Sequence, residues 1–330
     1  MTSLLVERIH LTAAARAAGD EGARSDLLAA LDASSQALAG LLGVAYTGSR
    51  EPLLRALRAV DRRSVLHADA VRSGDAARVN AALAAGDTAA AELAVAVRRV
   101  APRLGAGRVV ERLKGDLAAQ LEVGGPDPYA LLAAAAGRAP DTARLLTAGI
   151  VADRDLGPMG SRAADLRAEL TGLLTSHVLL SGALAHENVA AGPAASAADA
   201  LRANGAQLSA LLGGAYPALP LTFEPSWRAH VERVIVLARS TAGAQATAER
   251  RFVLAYPSAL GALLARQIGG LPAITVTDEV TQMLAALVRL VDAEGRGEPD
   301  VAELVRRTSA SVPVVAALLA AAIAQDRRYS

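Results

Sequence analysis

Apolar residues recur along most of this chain in steps of three and four, the spacing that gathers them on one face of an α-helix. The pattern is clearest between residues 173 and 237. Leu173, His177, Leu180 and Leu184 form one row; Leu201, Asn204, Leu208 and Leu211 form a second; Phe223, Trp227, His230, Val234 and Leu237 form a third. Each row holds one polar residue among its apolar ones. The spacing therefore predicts three amphipathic helices that turn His177, Asn204 and His230 inward.

The same frame recurs earlier in the chain. Leu4-Leu5, Arg8-Ile9 and Leu11-Thr12 align with Leu173-Leu174, His177-Val178 and Leu180-Ser181, at an offset of 169. Leu41-Leu42-Gly43 with Ala45-Tyr46 aligns with Leu211-Leu212-Gly213 with Ala215-Tyr216, and Glu51-Pro52 aligns with Glu224-Pro225 at an offset of 173. Pro140, Leu145, Leu146 and Ile150 align with Pro313, Leu318, Leu319 and Ile323. Because Glu-Pro and Leu-Leu-Gly-x-Ala-Tyr are not generic helix letters, these matches point to a tandem duplication.

The fold class that follows is all-α: two copies of a unit of about seven helices, each an antiparallel four-helix bundle with a three-helix extension. The first copy covers 1–153, a linker 154–161, and the second copy 162–330. Helices are expected near 3–18, 25–43, 51–72, 76–101, 107–122, 128–137 and 140–152. In the second copy they are expected near 161–190, 195–214, 224–241, 245–268, 276–293, 299–308 and 312–326. Glycine and proline set the breaks, with Gly124-Gly125-Pro126, Gly192-Pro193 and Gly295-Arg296-Gly297 among them. Pro52 and Pro225 are expected in first helical turns, and Thr275 with Asp278 resembles a capping box. Pro257 should kink the helix that contains it. The apolar stretch 312–324 is expected to be buried all round, between the copies.

Composition narrows the function more than it defines it. Aromatic residues make up 2% of the chain and there is no cysteine, which removes disulfides, thiolate metal sites and cysteine nucleophiles. Net charge is +1 with both signs interleaved, so no field points to nucleic acid. The densest basic stretch, 98–114, lacks aromatic stacking partners and reads as a solvated helix face. The N-terminus enters a helix with Glu7 and Arg8 instead of a signal sequence, which sets a cytoplasmic expectation, or an exported mature domain with its signal removed. The stretch 312–324 is too short to cross a bilayer, so no transmembrane segment and a soluble chain are expected.

If helices one to four of the second copy form a bundle, His177, Asn204 and His230 approach one another, with Tyr256 on the fourth helix as a further member. Two readings of this layer stand side by side. One is a hydrogen-bonded polar layer that fixes helix register. The other is a small-ligand pocket, or a metal site with His177 and His230 as ligands, although two histidines fall short of the three protein ligands usual at a catalytic zinc. Trp227 belongs to the same stripe and reads first as core. The first copy does not keep the layer: Arg8 stands for His177, Ser34 for Asn204 and Leu57 for His230. Asp61, one turn after Leu57, is placed to pair with Arg8 as a surface pair.

Glu-x-x-His occurs once, as Glu7-Arg8-Ile9-His10, where a di-iron bundle needs it on two helices, and no zincin, Walker A, Gly-x-Gly-x-x-Gly or Gly-x-Ser-x-Gly motif occurs. No catalytic residue is assigned and no cofactor is required by any motif. The expectation is a non-enzymatic helical binding protein whose partner is a small ligand or a protein. The alternative is a structural or protein-interaction module without a ligand.

The second copy resembles an uncharacterised family of bacterial helical-bundle proteins, often exported, built from repeated helix pairs. Its members carry Leu-Trp-x-x-His or Leu-Leu-x-x-His helices followed by Leu-x-x-Asn-x-x-Asp-Ile helices. The residues that carry the resemblance are Leu173-Leu174 with His177, then Leu201, Asn204, Gln207-Leu208 and Tyr216, then Trp227 with His230. Phe252 stands where the family has Trp, and Ala255 where it has a second Asn. The resemblance implies inward placement of His177, Asn204 and His230, and it implies no activity.

Overall fold

The computed structural model describes residues 1–46, 48–100, 102, 106–122, 128–154, 161–189, 195–240 and 242–327. Among the described residues there is no strand, and the protein is all-α. Contacts divide the chain into two compact units, Met1–Met159 and Gly160–Ser330. The expected linker falls largely on 155–160, and the breaks at 124–126 and 192–193 also lie outside the described residues.

Unit 1 contains α1 (Thr2–Ala17), α2 (Glu21–Ala45), α3 (Arg50–Ser73), α4 (Ala76–Val100), α5 (Ala106–Glu122), α6 (Pro128–Gly137) and α7 (Ala139–Arg154). Local chemistry sets several of these ends. The Asp20 side chain accepts the Ala23 N–H at 2.8 Å and so caps α2. Gly74, with φ of 69°, closes α3 in the left-handed conformation that favours glycine. The helix α1 is central: it packs on α2, α3, α5, α6 and α7, whereas α4 packs on α3 and α5. Leu38, Leu42, Leu53, Leu57, Leu93 and Val97 form much of the core.

Unit 2 contains α8 (Arg162–Val189), α9 (Ala195–Ala215), α10 (Pro220–Arg239), α11 (Gly243–Gln267), α12 (Ala273–Arg296) and α13 (Val301–Arg327). Here α8 is the central helix, packed by α9, α10, α12 and α13, while α11 packs on α10 and α12. This corrects the expected bundle with a satellite extension. The last helices of each unit pack directly on the central one, because α8 is apolar on most of its circumference and needs cover on every side. Leu170, Leu180, Leu184, Leu201, Leu212, Leu219, Phe223 and Ile235 are all buried in this core.

Several helix boundaries differ from the sequence expectation. The helix α10 starts at Pro220, so Pro225 lies inside it and not in the first turn. The helix α12 starts at Ala273 behind Pro272, without a side-chain cap, so Thr275 is already helical. Gly297, with φ of 62°, does close α12. The helix α11 runs from Gly243 to Gln267 with Pro257 inside it. The two helices expected at 299–308 and 312–326 form one, α13, which continues through Pro313. Buried residues on both sides of that proline, Leu304, Val305 and Val312 before it and Val315 and Leu319 after it, hold the helix together against the missing N–H. The stretch 312–324 packs on α8 and α12 of its own unit and leaves Val314 46% exposed, so it is not buried all round.

The expectation of no transmembrane segment, and the soluble cytoplasmic default built on it, is overturned. Among the described residues three helices are long and apolar enough to cross a membrane: Glu21–Val44, Arg162–Glu187 and Val301–Arg327. The search for one uninterrupted apolar run missed them. Their alanines, glycines and hydroxyl residues break the run without adding charge, and an α-helix of 24 residues or more already exceeds the ~20 residues that a bilayer core requires. The three windows differ in how much apolar surface the fold covers: 78% of the α8 window is buried, against 50% for α13 and 39% for α2.

Candidate functional site: a buried histidine pair in unit 2

The site forms where α8, α9, α10 and α11 each contribute a side chain. His177 lies mid-way along α8 and is fully buried, as is His230 on α10. Their ring centroids are 5.4 Å apart, tilted by 35°. Trp227, one turn before His230, lies 4.9 Å from the His177 ring and 5.1 Å from the His230 ring. Tyr256 on α11 stacks on His230 at 4.4 Å with an interplanar angle of 12°. Phe223 stacks on Trp227 at 5.5 Å with an interplanar angle of 15°. Trp227, His177 and His230 thus form a triangle of rings, with Phe223 against Trp227 and Tyr256 against His230 and Trp227.

Helix geometry explains why these residues meet. Phe223, Trp227 and His230 follow the three-and-four spacing of one face of α10, and that face packs on α8 and α9. Gly205 marks the close approach of α9, where a Cβ would lie 3.1 Å from the Trp227 indole and the ring would have to give by a few tenths of an ångström. Asn204, its neighbour, donates from Nδ2 to the Leu173 carbonyl at 3.0 Å. That carbonyl is four residues before His177, so it is the one to which the His177 backbone N–H is directed. Asn204 thus ties α9 to the turn of α8 that carries His177. The Tyr256 hydroxyl lies 3.2 Å from the Ser226 hydroxyl, which locks α11 to α10.

The electrostatics follow from dryness. Burial pushes the His177 imidazole down to about 4, and burial together with neighbouring His177 holds His230 well below the ordinary histidine value. Both rings are therefore neutral at physiological pH. Burial raises the Tyr256 phenol to about 12, against a smaller opposing effect from Ser226, so it too stays uncharged. Among the described residues, His177 Nδ1 and Nε2, His230 Nδ1 and Nε2, Trp227 Nε1 and Asn204 Oδ1 are buried with no hydrogen-bond partner. Buried polar atoms in folded proteins are nearly always paired, so six such atoms in one place call for an explanation. Among the described residues no group of three or more His, Cys, Asp or Glu is gathered to hold a metal.

Of the residues singled out from the sequence, His177, His230, Trp227 and Tyr256 are brought into ring contact, and Asn204 is attached beside them through Leu173. Sequence reasoning missed Gly205 and Ser226. A glycine beside Asn204 inside a helical pattern was the available signal for close approach.

The corresponding place in unit 1 is built differently. Arg8, which the alignment sets against His177, is buried and donates to Ser35 and to Asp61, both also buried. Ser35 Oγ also lies 2.8 Å from Asp61 Oδ2. The pair expected at the surface is thus inside the core, because α1 is the central helix and its stretch 6–12, which carries Arg8, is buried throughout. Ser34, the residue aligned with Asn204, is buried and outside this network. Beside Arg8 and Leu57 lies a cavity of about 80 Å³, walled mainly by Leu5, Ile9, Leu93 and Leu113, with Asp116 and Thr142 among its lining.

Compared with protein-family models, with curated proteins and with solved structures, the chain has no match.

Proposed function

We propose that unit 2 is a non-enzymatic helical binding unit that holds one small guest, a molecule or an ion, between His177 and His230, with Asn204, Trp227 and Tyr256 around it. The observation that carries this reading is the set of four imidazole nitrogens, fully buried and without hydrogen-bond partners among the described residues. Leaving each of them dry costs on the order of 1–3 kcal/mol, and a guest that bonds to them recovers that cost. Native mass spectrometry of the purified full chain tests the reading. The expected result is a stoichiometric adduct that is lost from the His177→Gln/His230→Gln variant. A wild-type mass equal to that of the bare chain, with no small molecule or ion able to change Trp227 emission, would remove it.

A second reading is favoured by a specific contact. The bond from Asn204 to the Leu173 carbonyl and the stacking of Tyr256 on His230 fasten α9 to α8 and α11 to α10 without any guest. In this reading the layer sets helix register, and the protein is a structural or protein-interaction module.

We also infer that the two units are a tandem duplication. In both, the first helix is central, the second, third and fifth pack on it, and the fourth packs on the third and fifth alone. The split of α6 and α7 near Arg138 corresponds to the middle of the continuous α13. The resemblance to the bacterial helical-bundle family concerns the second unit alone, where the family's His and Asn positions fall on His177, Asn204 and His230.

A further inference from the structure

We infer that the α2–α3 hairpin of unit 1 docks the protein on the surface of an anionic lipid bilayer. The surface lies in unit 1 and is independent of the site proposed in unit 2.

The apolar part comes from α2. This helix packs on α1 and α3, and Leu38, Ala39 and Leu42 on its inner side belong to the core. Its other side is open: 39% of its apolar window is buried, the least of the three membrane-length helices. Between Leu27 and Val44 the sole charged residue is Asp32. Val44 is 88% exposed and Leu41 45%, and the exposed Ala37 and Ala29 continue their face in helical steps. An uncharged helix face that ends in large apolar side chains is what an interfacial helix presents to the acyl boundary.

The basic part comes from α3. Arg55, Arg62 and Arg63 are exposed on its outer side, and among the described residues no carboxylate lies within ion-pair distance of them. The two parts adjoin. Arg58 of α3 donates to Asp32 of α2 through two of its nitrogens, and Arg50 abuts Gly43, the residue before Val44. Between Leu27 and Leu66 the solvent-facing charges are five arginines, at 50, 55, 58, 62 and 63, against two carboxylates, Asp32 and Glu51. A local positive excess thus borders the apolar face, although the whole chain carries only +1.

Charge selects the occupant. Anionic headgroups attract a basic margin of this kind, with about fivefold in affinity for each arginine held at the surface. A second copy docked through the same face would bring an equal positive excess, which opposes pairing. The α9–α10 hairpin of unit 2 shows the contrast: Arg202 is held by Asp199 and Glu232, and Arg228 by Glu224, so these arginines are neutralised within the fold. Docking leaves α2 in place. Asp32 lies mid-helix tied to Arg58, and Leu38 and Leu42 stay in the core, so α2 lies along the membrane and does not cross it.

The test uses the full chain with vesicles of phosphatidylcholine alone, or of equal parts phosphatidylcholine and phosphatidylserine. Cosedimentation is expected with the mixed vesicles and not with the first, and it should weaken as salt is raised. Arg55→Gln/Arg62→Gln/Arg63→Gln should lower the partition coefficient about 100-fold, while Arg228→Gln in unit 2 leaves it unchanged. Because the chain has no cysteine, Val44→Cys carries a single polarity-sensitive fluorophore. Its emission should shift to the blue on the mixed vesicles, whereas the same label on Ala210→Cys, at an exposed position of α9, should not shift. The labelled chain keeps all its arginines, so this arm stands even where the triple variant fails to fold. Absence of binding to both vesicles, equal binding to both, or a shift at residue 210 without one at 44 would overturn the proposal. A shift at residue 44 without vesicles, together with a dimer mass, would make this face a contact between copies and overturn it too. Retention through an alkaline wash would show a helix crossing the bilayer, which likewise overturns surface docking.

Discussion

Arg8 of α1 and Asp61 of α3 form an ion pair inside the core of unit 1, each side chain 9% exposed. Burial is the largest influence on Asp61 and pushes its carboxyl upward against the opposing pull of Arg8 and Ser35. Such a pair is costly to break from one side, because the remaining charge is left in the core without compensation. Asp61→Ala is expected to destabilise the fold by about 3–5 kcal/mol. Replacing both partners, as Arg8→Met with Asp61→Leu, should restore stability to near the parent value. Urea unfolding followed by far-ultraviolet circular dichroism measures both. A single variant costing less than about 1 kcal/mol would place the pair in water, where such pairs contribute little.

Acid should destabilise the protein through its buried histidines. His177 is held at about 4 and His10 at about 3 by burial, and His230 is also lowered. In the unfolded chain these rings titrate near 6.5, so between about 6.5 and the folded values the unfolded state binds more protons. Their contribution is complete above pH 6.5 and is lost as pH falls through that window, each group at up to about 1.4 kcal/mol per pH unit. Urea midpoints at pH 7.5 and 4.5 check this, the lower pH giving the lower midpoint. A flat profile over that range would show that these rings titrate normally.

Gly205 admits the Trp227 indole, and a larger side chain there should push α9 away from α10. Gly205→Leu is expected to cost about 1–3 kcal/mol by overpacking and to move Trp227 emission toward that of a solvated indole. Gly205→Ala should cost less, since it gains about 0.5–1 kcal/mol of helix preference while Trp227 shifts by a few tenths of an ångström. Equal stability of the leucine variant and the parent would refute close approach at this residue.

The Tyr256 hydroxyl and its ring do separate jobs, and Tyr256→Phe divides them. The variant keeps the stack on His230 and loses the contact to Ser226, with an expected cost of about 0.5–1.5 kcal/mol. Any adduct seen by native mass spectrometry should persist in it, because the phenol oxygen is engaged with Ser226. Loss of the adduct with an intact fold would make the hydroxyl part of the binding set.

The periodicity of apolar residues was enough to establish the all-α class, because helix spacing is a local property written into each short stretch. It also placed Phe223, Trp227 and His230 on one face, and with them the inward side of His177 and Asn204. Local signals failed where packing overrode them: Pro313 did not end α13, Pro225 did not begin α10, and the Thr275 cap did not form. In each case burial along the rest of the helix outweighs one lost hydrogen bond or one unused cap.

Which helix would be central could not be read from spacing, since α8 shows an apolar row like its neighbours yet is covered on every side. The same ignorance put Arg8 and Asp61 at the surface and missed the room that Gly205 makes for Trp227. Charge and apolar run length are properties of residues in order; distance between the His177 and His230 rings depends on how two helices cross. The sequence alone determined that the chain is helical and that two histidines turn inward. Only tertiary packing decided that they meet 5.4 Å apart against Trp227, because depth and rotation of each helix are set by the side chains of all the others.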